Sequence, residues 1–328
     1  MTTSPTAIPV ILDCDPGHDD AVAILLALGS PRIDLLGVTT VFGNCKVEDA
    51  TRNSLDVLAL AGREDIPVAS GASEPLKGAV VLGNYVHGAS GLDGPELLRS
   101  TAAPVSADAV SWMAHTVAQS DRPVTLVATG PITNIAQLIS TRDDLHTKIA
   151  EVIFMGGSTE RGNHTPYAEF NTYADPEALD IVLRSGIRAR MVGLNLTHQA
   201  LATPAVVERM WALPQGLGEV VASWMGFFGG SYREIWNFSS PPVHDPCTIG
   251  ALIDPSLIIW QHAFVAVETA GTYTRGATVV DLDQRWPERA ANAEVAMQLD
   301  ADRYWNLVLA TIAQLGEVDP ATGAAHAE

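Results

Sequence analysis

Four carboxylates lie within eight residues near the start of the chain, in the run ILDCDPGHDDAVAILLA: Asp13, Asp15, Asp19 and Asp20. The apolar stretch before them is typical of a buried parallel strand and the one after them of a helix, with a Pro-Gly turn between. Because side chains alternate along a strand, Asp13 and Asp15 leave its end on the same face. Four such charges repel one another unless a positive charge lies among them, and oxygen ligands suit a hard divalent cation.

Helix capping is the alternative explanation of these acids. An acid before a helix is often a cap, and a second one in the first turn interacts favourably with the helix dipole. Capping would account for two of the four, but not for Asp13 and Asp15 as well. These two follow a buried strand, and α/β proteins place their ligands at the carboxyl ends of such strands. The run therefore predicts a metal or catalytic site.

Strand and helix patterns alternate through the first two thirds of the chain. The predicted strands span 8–14, 33–41, 124–128, 151–155 and 189–192, and the predicted helices 19–28, 47–61, 107–119, 133–139 and 176–185. This alternation predicts an α/β fold with a mostly parallel, open, twisted sheet covered by helices on both faces. We find no internal repeat and no Ser/Gly linker, so we expect one domain over 1–328, with frayed ends at 1–7 and 316–328.

Composition argues against several partner classes. The 328 residues are 47% apolar and carry a formal net charge of −19, which disfavours nucleic acids and anionic membranes as partners. No apolar run has the length of a membrane span, and the first ten residues lack the features of a signal peptide. The three cysteines, Cys14, Cys45 and Cys247, are far apart and form no zinc pattern. We expect them to be reduced and buried in a cytoplasmic protein.

Other predicted strands also end in polar clusters. VATGPITN (127–134) follows one strand, and a Gly-Pro turn with a Thr or Asn cap explains it as well as a site does. VFGN (41–44) follows another and is a weak signal alone. MGG (155–157), AEFN (168–171) and the Asp175-Pro176-Glu177 run are assigned to structure, the last as a helix start with Asp as cap and Pro at the first position.

VHDPCTIG (243–250) is the last cluster. Asp245-Pro246 again fits a cap followed by proline. His244 beside it is the more informative residue, since histidine titrates near neutral pH. A lone histidine is more often structural, but a His-Asp pair that joins a carboxylate cluster favours function.

The run DCDPGHDDA resembles the N-terminal signature of the nucleoside hydrolases, the inosine–uridine-preferring nucleoside N-ribohydrolases. The other clusters follow in the family's order: VFGN, HGASGLDG (87–94), TGPITN, the GG loop with NHTPYAEFN (163–171), and HDPC. The resemblance covers about 8–315. It implies a single domain of the nucleoside hydrolase fold with a Rossmann-like core, one Ca²⁺ per chain, and a homodimer or homotetramer. The implied reaction cleaves the N-glycosidic bond of purine or pyrimidine ribonucleosides to give ribose and free base.

The resemblance also implies residue roles. The implied metal ligands are Asp15, Asp20, Asp245 and the main-chain carbonyl of Thr129, with Asp13 beside the metal. The groups that would hold the ribose are Asp19, Asn44, Asn163, Glu169 and Asn171, and paired acids and amides suit a polyol. Asp15 would act as general base on a Ca²⁺-bound water. His244 would help the base to leave, and His87 is the second candidate.

The segment 224–242, WMGFFGGSYREIWNFSSPP, departs from clear family matching, so the preferred base stays open. Its aromatic residues are Phe227, Phe228, Tyr232 and Trp236. They would stack on a nucleobase or pack in the core of a helix, and the sequence favours neither. We include Tyr232 and Trp236 among the predicted substrate-binding residues.

Two further functions compete with this one. In an aspartate-nucleophile phosphatase Asp13 would be phosphorylated beside Mg²⁺, but Gly17 stands where such sites need Thr or Val. A Ca²⁺-dependent nucleoside-binding or salvage-sensing protein would have a dead site, and the presence of Asp15 and His244 argues against it. A reducing-sugar assay with a panel of nucleosides separates the three.

Overall fold

A computed structural model of the chain describes residues 6–213 and 216–315. Its sheet has nine strands in the order β3-β2-β1-β4-β5-β6-β9-β7-β8. The strands are β1 Ile8–Cys14, β2 Ile33–Thr40, β3 Val68–Ser70, β4 Val124–Ala128, β5 Ile149–Met155, β6 Ala189–Val192, β7 Ile258–Val267, β8 Thr278–Asp281 and β9 Ala293–Leu299. All pairs from β3 to β9 along this order are parallel, whereas β7 runs antiparallel to both β9 and β8.

Helices cover both faces of this sheet. They are α1 His18–Gly29, α2 Val47–Leu60, α3 Asn84–His87, α4 Ala109–Gln119, α5 Thr133–Thr141, α6 Phe170–Ala174, α7 Pro176–Arg184, α8 Leu194–Thr197, α9 Pro204–Trp211, α10 Leu217–Trp236, α11 Pro246–Ile253 and α12 Ala301–Leu315, with 3-10 turns at Asp143–Lys148 and Pro255–Leu257. The predicted fold class is confirmed: a mostly parallel open sheet between layers of helices.

The hydrophobic core lies on both sides of the sheet. Val10 and Leu12 of β1 belong to one cluster of buried residues and Ile11 between them to the other, since alternate side chains point to opposite faces. Helix α1 is buried from His18 to Ala27, and it packs against α11 and α12 as well as α2. An apolar run that is buried all round cannot tilt or slide freely, so the acids at its start are held firmly.

The strand order creates a crevice beside β1. The chain builds β1, β2 and β3 outward in one direction, then returns to pair β4 with the other side of β1. Ligands of doubly wound sheets bind where the order reverses, outside the carboxyl ends of the strands. Asp15 follows β1 and Thr129 follows β4, so the topology alone brings them to this crevice.

Most predicted strands and helices have nearly the predicted bounds. The differences are mainly strands and helices that were not predicted at all. Strands β1, β4 and β6 match at both ends, whereas β5 begins two residues earlier and β2 ends one residue earlier than predicted. The antiparallel extension formed by β7, β8 and β9 was not predicted, nor was β3. The predicted frayed ends fall mostly on 1–5 and 316–328, which lie outside the described residues, and the extent of the domain stays a prediction.

The three cysteines are free and buried, as expected. Within residues 6–213 and 216–315, no helix has both the length and the hydropathy needed to cross a bilayer.

Candidate active site

Five buried aspartates converge where β1, α1 and α11 meet. Asp13 is in β1, Asp15 follows it, Asp19 and Asp20 are in the first turn of α1, and Asp245 precedes α11. None of them is more than 3% exposed. One carboxylate oxygen from each of Asp19, Asp20 and Asp245 lies within 4.8 Å of the others. All five were named from the sequence, although Asp245 is more than 200 residues from the others along the chain.

Asp13 and Asp15 each have one oxygen that is bound and one that is free. Oδ1 of Asp13 accepts hydrogen bonds from Thr39 Oγ1 at 2.6 Å and Asn134 Nδ2 at 2.8 Å. Oδ2 of Asp15 accepts from the main-chain N–H of Asn44 at 2.6 Å. The other oxygen of each, Oδ2 of Asp13 and Oδ1 of Asp15, is buried without a partner among the described residues. Buried acceptors without partners are costly, and they are available to a ligand.

The carboxylate of Asp20 accepts hydrogen bonds from segments that follow three different strands. Its Oδ1 accepts from Thr129 Oγ1 at 2.7 Å, and its Oδ2 accepts from Asn44 Nδ2 at 3.0 Å and from the main-chain N–H of Gly17 at 3.1 Å. Oδ2 of Asp19 accepts from the main-chain N–H of His244 at 3.2 Å. Main-chain and side-chain donors from four segments therefore orient the acids of α1.

Burial raises the pKa of these acids. It raises the pKa of Asp13 to about 7 even though Thr39 and Asn134 counteract it, and the pKa of Asp19 to about 7 with a further contribution from Asp20. Burial raises the pKa of Asp15 and Asp245 well above the ordinary value, and neighbouring carboxylates raise it further. The cluster fits a divalent cation, because oxygen donors without partners and concentrated negative charge are what a hard ion requires.

This arrangement differs in one way from the ligand set that the resemblance implies. The three carboxylates that lie closest together are those of Asp19, Asp20 and Asp245, whereas the resemblance implies Asp15 as the ligand beside Asp20 and Asp245. The main-chain carbonyl of Thr129 accepts a hydrogen bond from Nδ2 of Asn171 at 2.7 Å, which uses one of its two lone pairs and leaves the other for a ligand. Asn171 Nδ2 also donates to the carbonyl of Met155 at 3.1 Å.

Two glycines enclose the carboxylate of Asp15. A Cβ built on Gly43 would lie 2.0 Å from Oδ2 of Asp15, and one built on Gly130 would lie 2.6 Å from Oδ1. Neither position has room for a side chain unless the carboxylate moves. Gly43 comes from the VFGN motif and Gly130 from TGPITN, so both motifs contribute empty space as well as polar groups.

A cleft opens above the acids, with a volume of about 460 Å³ counted to its mouth. The predicted site residues that line it are Asp19, Asn44, His87, Thr129, Asn163, Glu169, Asn171, Tyr232, Trp236, His244 and Asp245. The other three, Asp13, Asp15 and Asp20, are buried and are not among the lining residues.

The groups predicted to hold ribose also have structural partners. The carboxylate of Glu169 accepts from the main-chain N–H groups of Gly157, Asn171 and Thr172 at 2.8–3.0 Å and caps α6, as the structural assignment of AEFN predicts. Oδ1 of Asn163 accepts from the N–H of Phe170 at 2.9 Å. These bonds fix the side chains before any ligand arrives, which lowers the entropy cost of binding.

Two capping interpretations are only partly right. Asp175 caps α7 as predicted, with its carboxylate accepting from the N–H of Ala178 at 3.1 Å. Asp245 stands at the start of α11, but its side chain makes no capping bond. In TGPITN, Thr133 and Asn134 do not cap α5 either, because their side chains reach Asp175 and Asp13 instead.

His244 lies in a hydrogen-bonded row of three side chains. Its Nδ1 is 2.7 Å from Oγ1 of Thr197 and its Nε2 is 2.6 Å from the hydroxyl of Tyr232. Burial lowers the pKa of His244 well below its ordinary value and raises that of Tyr232 well above its own, so both are neutral. Both ring nitrogens of His244 have protein partners, and His244 and Tyr232 both line the cleft. Thr197 was not predicted, since nothing local marks it.

Helix α10 supplies the aromatic wall of the cleft. Phe228, Tyr232 and Trp236 line it, and the ring of Tyr232 lies 4.6 Å from that of Trp236, measured between centroids. Phe228 and Tyr232 are also part of the core. Packing in the core and lining the cleft are therefore compatible, because residues on one face of α10 do both. Phe227 does not line the cleft, and it stacks on His18 at 5.0 Å.

His87 lines the cleft, but His18, which holds it, was not predicted. The two Nδ1 atoms lie 3.1 Å apart, and Nε2 of His18 is 2.7 Å from the main-chain carbonyl of Asp93. His18 is fully buried. It lies in the DCDPGHDDA run, in which only the acids form a recognisable pattern. Tyr85 at the mouth of the cleft was missed as well, and its hydroxyl is 3.2 Å from Nδ1 of His164.

Comparison with known proteins gives consistent results. Residues 10–306 match the family described as inosine-uridine preferring nucleoside hydrolase. The chain is 46% identical over 303 residues to the pyrimidine-specific ribonucleoside hydrolase RihA of Escherichia coli O81 (strain ED1a), covering 92% of this chain and 97% of that protein.

Solved structures agree in fold. A purine-preferring ribonucleoside hydrolase from Gardnerella vaginalis superposes with a TM-score of 0.88 at 30% identity, covering 95% of this chain and 100% of that one. A plant nucleoside hydrolase superposes with a TM-score of 0.87 at 33% identity, covering 94% and 99%.

Proposed function

The chain belongs to the inosine-uridine preferring nucleoside hydrolases, enzymes that cleave ribonucleosides to ribose and base, and on that premise we propose that its own substrates are pyrimidine ribonucleosides. The relatives at 46% identity are named pyrimidine-specific, whereas the solved structure named purine-preferring is only 30% identical. The observation that carries the reaction is the buried acid cluster beneath a cleft lined with amides and carboxylates.

We propose that the cluster holds one Ca²⁺. The ligands would be Asp15, Asp20, Asp245 and the carbonyl of Thr129, with Asp19 and Asp13 next to them. All donors are oxygen, several are carboxylates and one is a main-chain carbonyl, which is the set that Ca²⁺ accepts from protein cages. Mg²⁺ prefers one or two carboxylates and keeps most of its waters. When bound, the cation would offset the carboxylate charge and make a nearby water more acidic.

Asp15 is the proposed general base. Its Oδ2 is fixed by the N–H of Asn44, while its Oδ1 has no partner among the described residues and can take a proton from the attacking water. The water then adds to C1′ of a ribosyl group that has oxocarbenium character. Positive charge develops there among fixed carboxylates and amide oxygens, where electrostatic stabilisation contributes most.

The departing base is the proposed partner of Tyr232. Tyr232 lines the cleft, and the two ring nitrogens of His244 are engaged by Tyr232 and Thr197. His244 therefore acts through Tyr232, which presents a donor to the base as the glycosidic bond breaks. A pyrimidine departs more readily when its developing negative charge accepts such a bond.

A reducing-sugar assay with uridine, cytidine, inosine and adenosine tests the proposed function. Ribose release from the pyrimidine nucleosides, faster than from the purines, is the expected result. Asn195→Ala, which alters a residue outside the cleft, is a matched control that should keep the substrate order. Release from purines alone would refute the pyrimidine assignment, and no release from any nucleoside in Ca²⁺-loaded protein would refute the activity.

We also propose that the enzyme is a cytoplasmic homodimer or homotetramer. The family resemblance supports the oligomer, and the three unpaired buried cysteines favour a reducing compartment. Light scattering of the purified protein measures the first, and a monomer would refute it. Fractionation of the producing cells tests the second, and activity in the extracytoplasmic fraction would refute it.

A further inference from the structure

His18 connects three parts of the molecule next to His87, which lines the cleft. It is the first residue of α1 and is fully buried. Its ring stacks on His87 with 5.3 Å between centroids and on Phe227 with 5.0 Å. Its Nε2 is 2.7 Å from the carbonyl of Asp93, in the loop that follows His87. The ring therefore joins α1, the loop after α3 and the aromatic helix α10.

The contact with Asp93 fixes the tautomer of His18. A carbonyl oxygen only accepts, so Nε2 of His18 must carry a hydrogen. The two facing Nδ1 atoms lie 3.1 Å apart and can share only one hydrogen, so this contact does not allow both rings to carry a charge. Nδ1 of a neutral His18 is then an acceptor.

Nδ1 of His87 consequently has two alternative partners on the same residue. The main-chain N–H of His18 lies 3.2 Å away and can donate to it, while Nδ1 of the His18 ring lies 3.1 Å away and can accept from it. Only one of these bonds forms at a time. In the first case His87 carries its hydrogen on Nε2, and in the second it carries its hydrogen on Nδ1.

Nε2 of His87 is the nitrogen that remains for a ligand. No hydrogen bond from residues 6–213 or 216–315 reaches it, and His87 lines the cleft. A Cβ on Gly17 would lie 2.5 Å from Nδ1 of His87, so the Nδ1 edge of the ring faces α1 rather than the cleft. Nε2 is then a donor in one tautomer and an acceptor in the other.

We propose that His18 is a positioning residue that lets His87 present either a donor or an acceptor to the base, so that the site accepts both oxo- and amino-pyrimidine nucleosides. Uracil and cytosine exchange donor and acceptor at positions 3 and 4, so a partner that can switch serves both. This inference rests on the proposed function and extends it to the choice of base.

Three substitutions of His18 separate its contacts. His18→Phe keeps the stacking on His87 and Phe227 but removes the ring acceptor, so His87 keeps only the main-chain donor and settles with its hydrogen on Nε2. His18→Asn places an amide near the former Nδ1 and retains a switchable partner. His18→Gln places an amide near the former Nε2 and retains only the bond to the Asp93 carbonyl.

Steady-state kinetics with uridine, cytidine and p-nitrophenyl riboside measure the consequence. In His18→Phe and His18→Gln, His87 is left as a donor only, so we expect the ratio of kcat/KM for cytidine to that for uridine to change roughly threefold to tenfold, the value of about one neutral hydrogen bond. The ratio falls where His87 meets position 4 of the base and rises where it meets position 3. His18→Asn should keep the ratio of the two within about twofold of the wild type. p-Nitrophenyl riboside has no base, so its rate reports on the ribose and acid end alone.

Nitrogen NMR of ¹⁵N-histidine-labelled protein gives a second readout. His87 should change from exchange between two tautomers in the wild type to a single Nε2–H form in His18→Phe, with His87→Phe identifying the signals. An unchanged tautomer, an unchanged cytidine-to-uridine ratio in His18→Phe, or equal losses on all three substrates would overturn the proposal. Wild-type protein that hydrolyses neither pyrimidine nucleoside would refute the proposed function instead, so the two failures are distinct.

Discussion

Removing the imidazole of His244 should slow the release of a poor leaving group far more than that of a good one. His244→Ala deletes the middle of the row from Thr197 to Tyr232, in which the two hydrogen bonds are 2.7 and 2.6 Å long and buried. A single neutral hydrogen bond is worth about 0.5–1.5 kcal/mol, which is no more than about tenfold in rate. Assistance to a departing group contributes roughly 10² to 10⁴. A loss of uridine hydrolysis near 10³ in kcat would therefore exceed a packing effect.

A double-mutant cycle shows whether His244 acts through Tyr232. Tyr232→Phe removes only the hydroxyl and keeps the ring that packs on Phe228 and Trp236. If His244 acts only through Tyr232, the second change removes a contact that is already lost. The kcat of the double variant for uridine should then be no more than about threefold below that of the slower single variant. Thr197→Val is the matched control: it removes the bond on the other ring nitrogen and should cost less.

The substrate comparison supplies the refutation. p-Nitrophenyl riboside releases a stable phenolate that needs little help, so both single variants should lose much less activity on it than on uridine. Losses that multiply in the double variant would show that the two side chains act separately. An equal loss on both substrates would mean that His244 instead positions the acid cluster through the adjacent Asp245.

Three further outcomes follow from the acid cluster. Asp20→Ala should lose Ca²⁺ and most activity while keeping its circular dichroism spectrum, and full calcium by elemental analysis would contradict the ligand assignment. Asp15→Asn should keep substrate binding but lose roughly 10² to 10⁴ in kcat, and near wild-type turnover in the Ca²⁺-loaded variant would remove Asp15 from the role of base. Asn134→Ala should lower the free energy of unfolding by roughly 2–4 kcal/mol, because Asn134 donates to Asp13 and to the carbonyl of Thr40 and accepts from the N–H of Ala72. Urea unfolding measures this, and a change below about 1 kcal/mol would show that water replaces the lost partners.

The first β-α unit was predictable because its signals are local. The apolar run of β1, the Pro-Gly turn and the apolar run of α1 follow one another without interruption, and the predicted strand has the observed bounds. Strands β2, β4, β5 and β6 share this property, whereas β3, with three residues, gives no such signal. Strands β7 and β9 lack this property: β7 mixes buried, half-buried and exposed side chains, and its pairing with β9 joins distant residues, such as Ile258 with Leu299. Local apolar patterns carry little information on such pairing.

Site residues that belong to a recognisable sequence motif were predicted. Site residues that are defined only by a contact between distant parts of the chain were not. The acids of α1 and the pair at 244–245 were named from the sequence because they occur in recognisable runs. Thr197 was missed because it meets His244 from 47 residues away and lies in no motif. His18 was missed for the opposite reason, since it lies within the strongest motif, and its partner His87 is 69 residues away. Only the packing of α1 against the loop after α3 reveals their relation.

The two glycines that enclose Asp15 offer a criterion for judging unfamiliar sequences. Gly43 and Gly130 contribute no functional group, yet a methyl group on either would occupy the place of a carboxylate oxygen. A homologue that keeps every aspartate but carries alanine at either position would have the residues of the reaction without the space for them. Searches that score only the acids would count such a chain as an enzyme. Checking the two glycines would separate working hydrolases from lineages that have kept the fold and lost the chemistry.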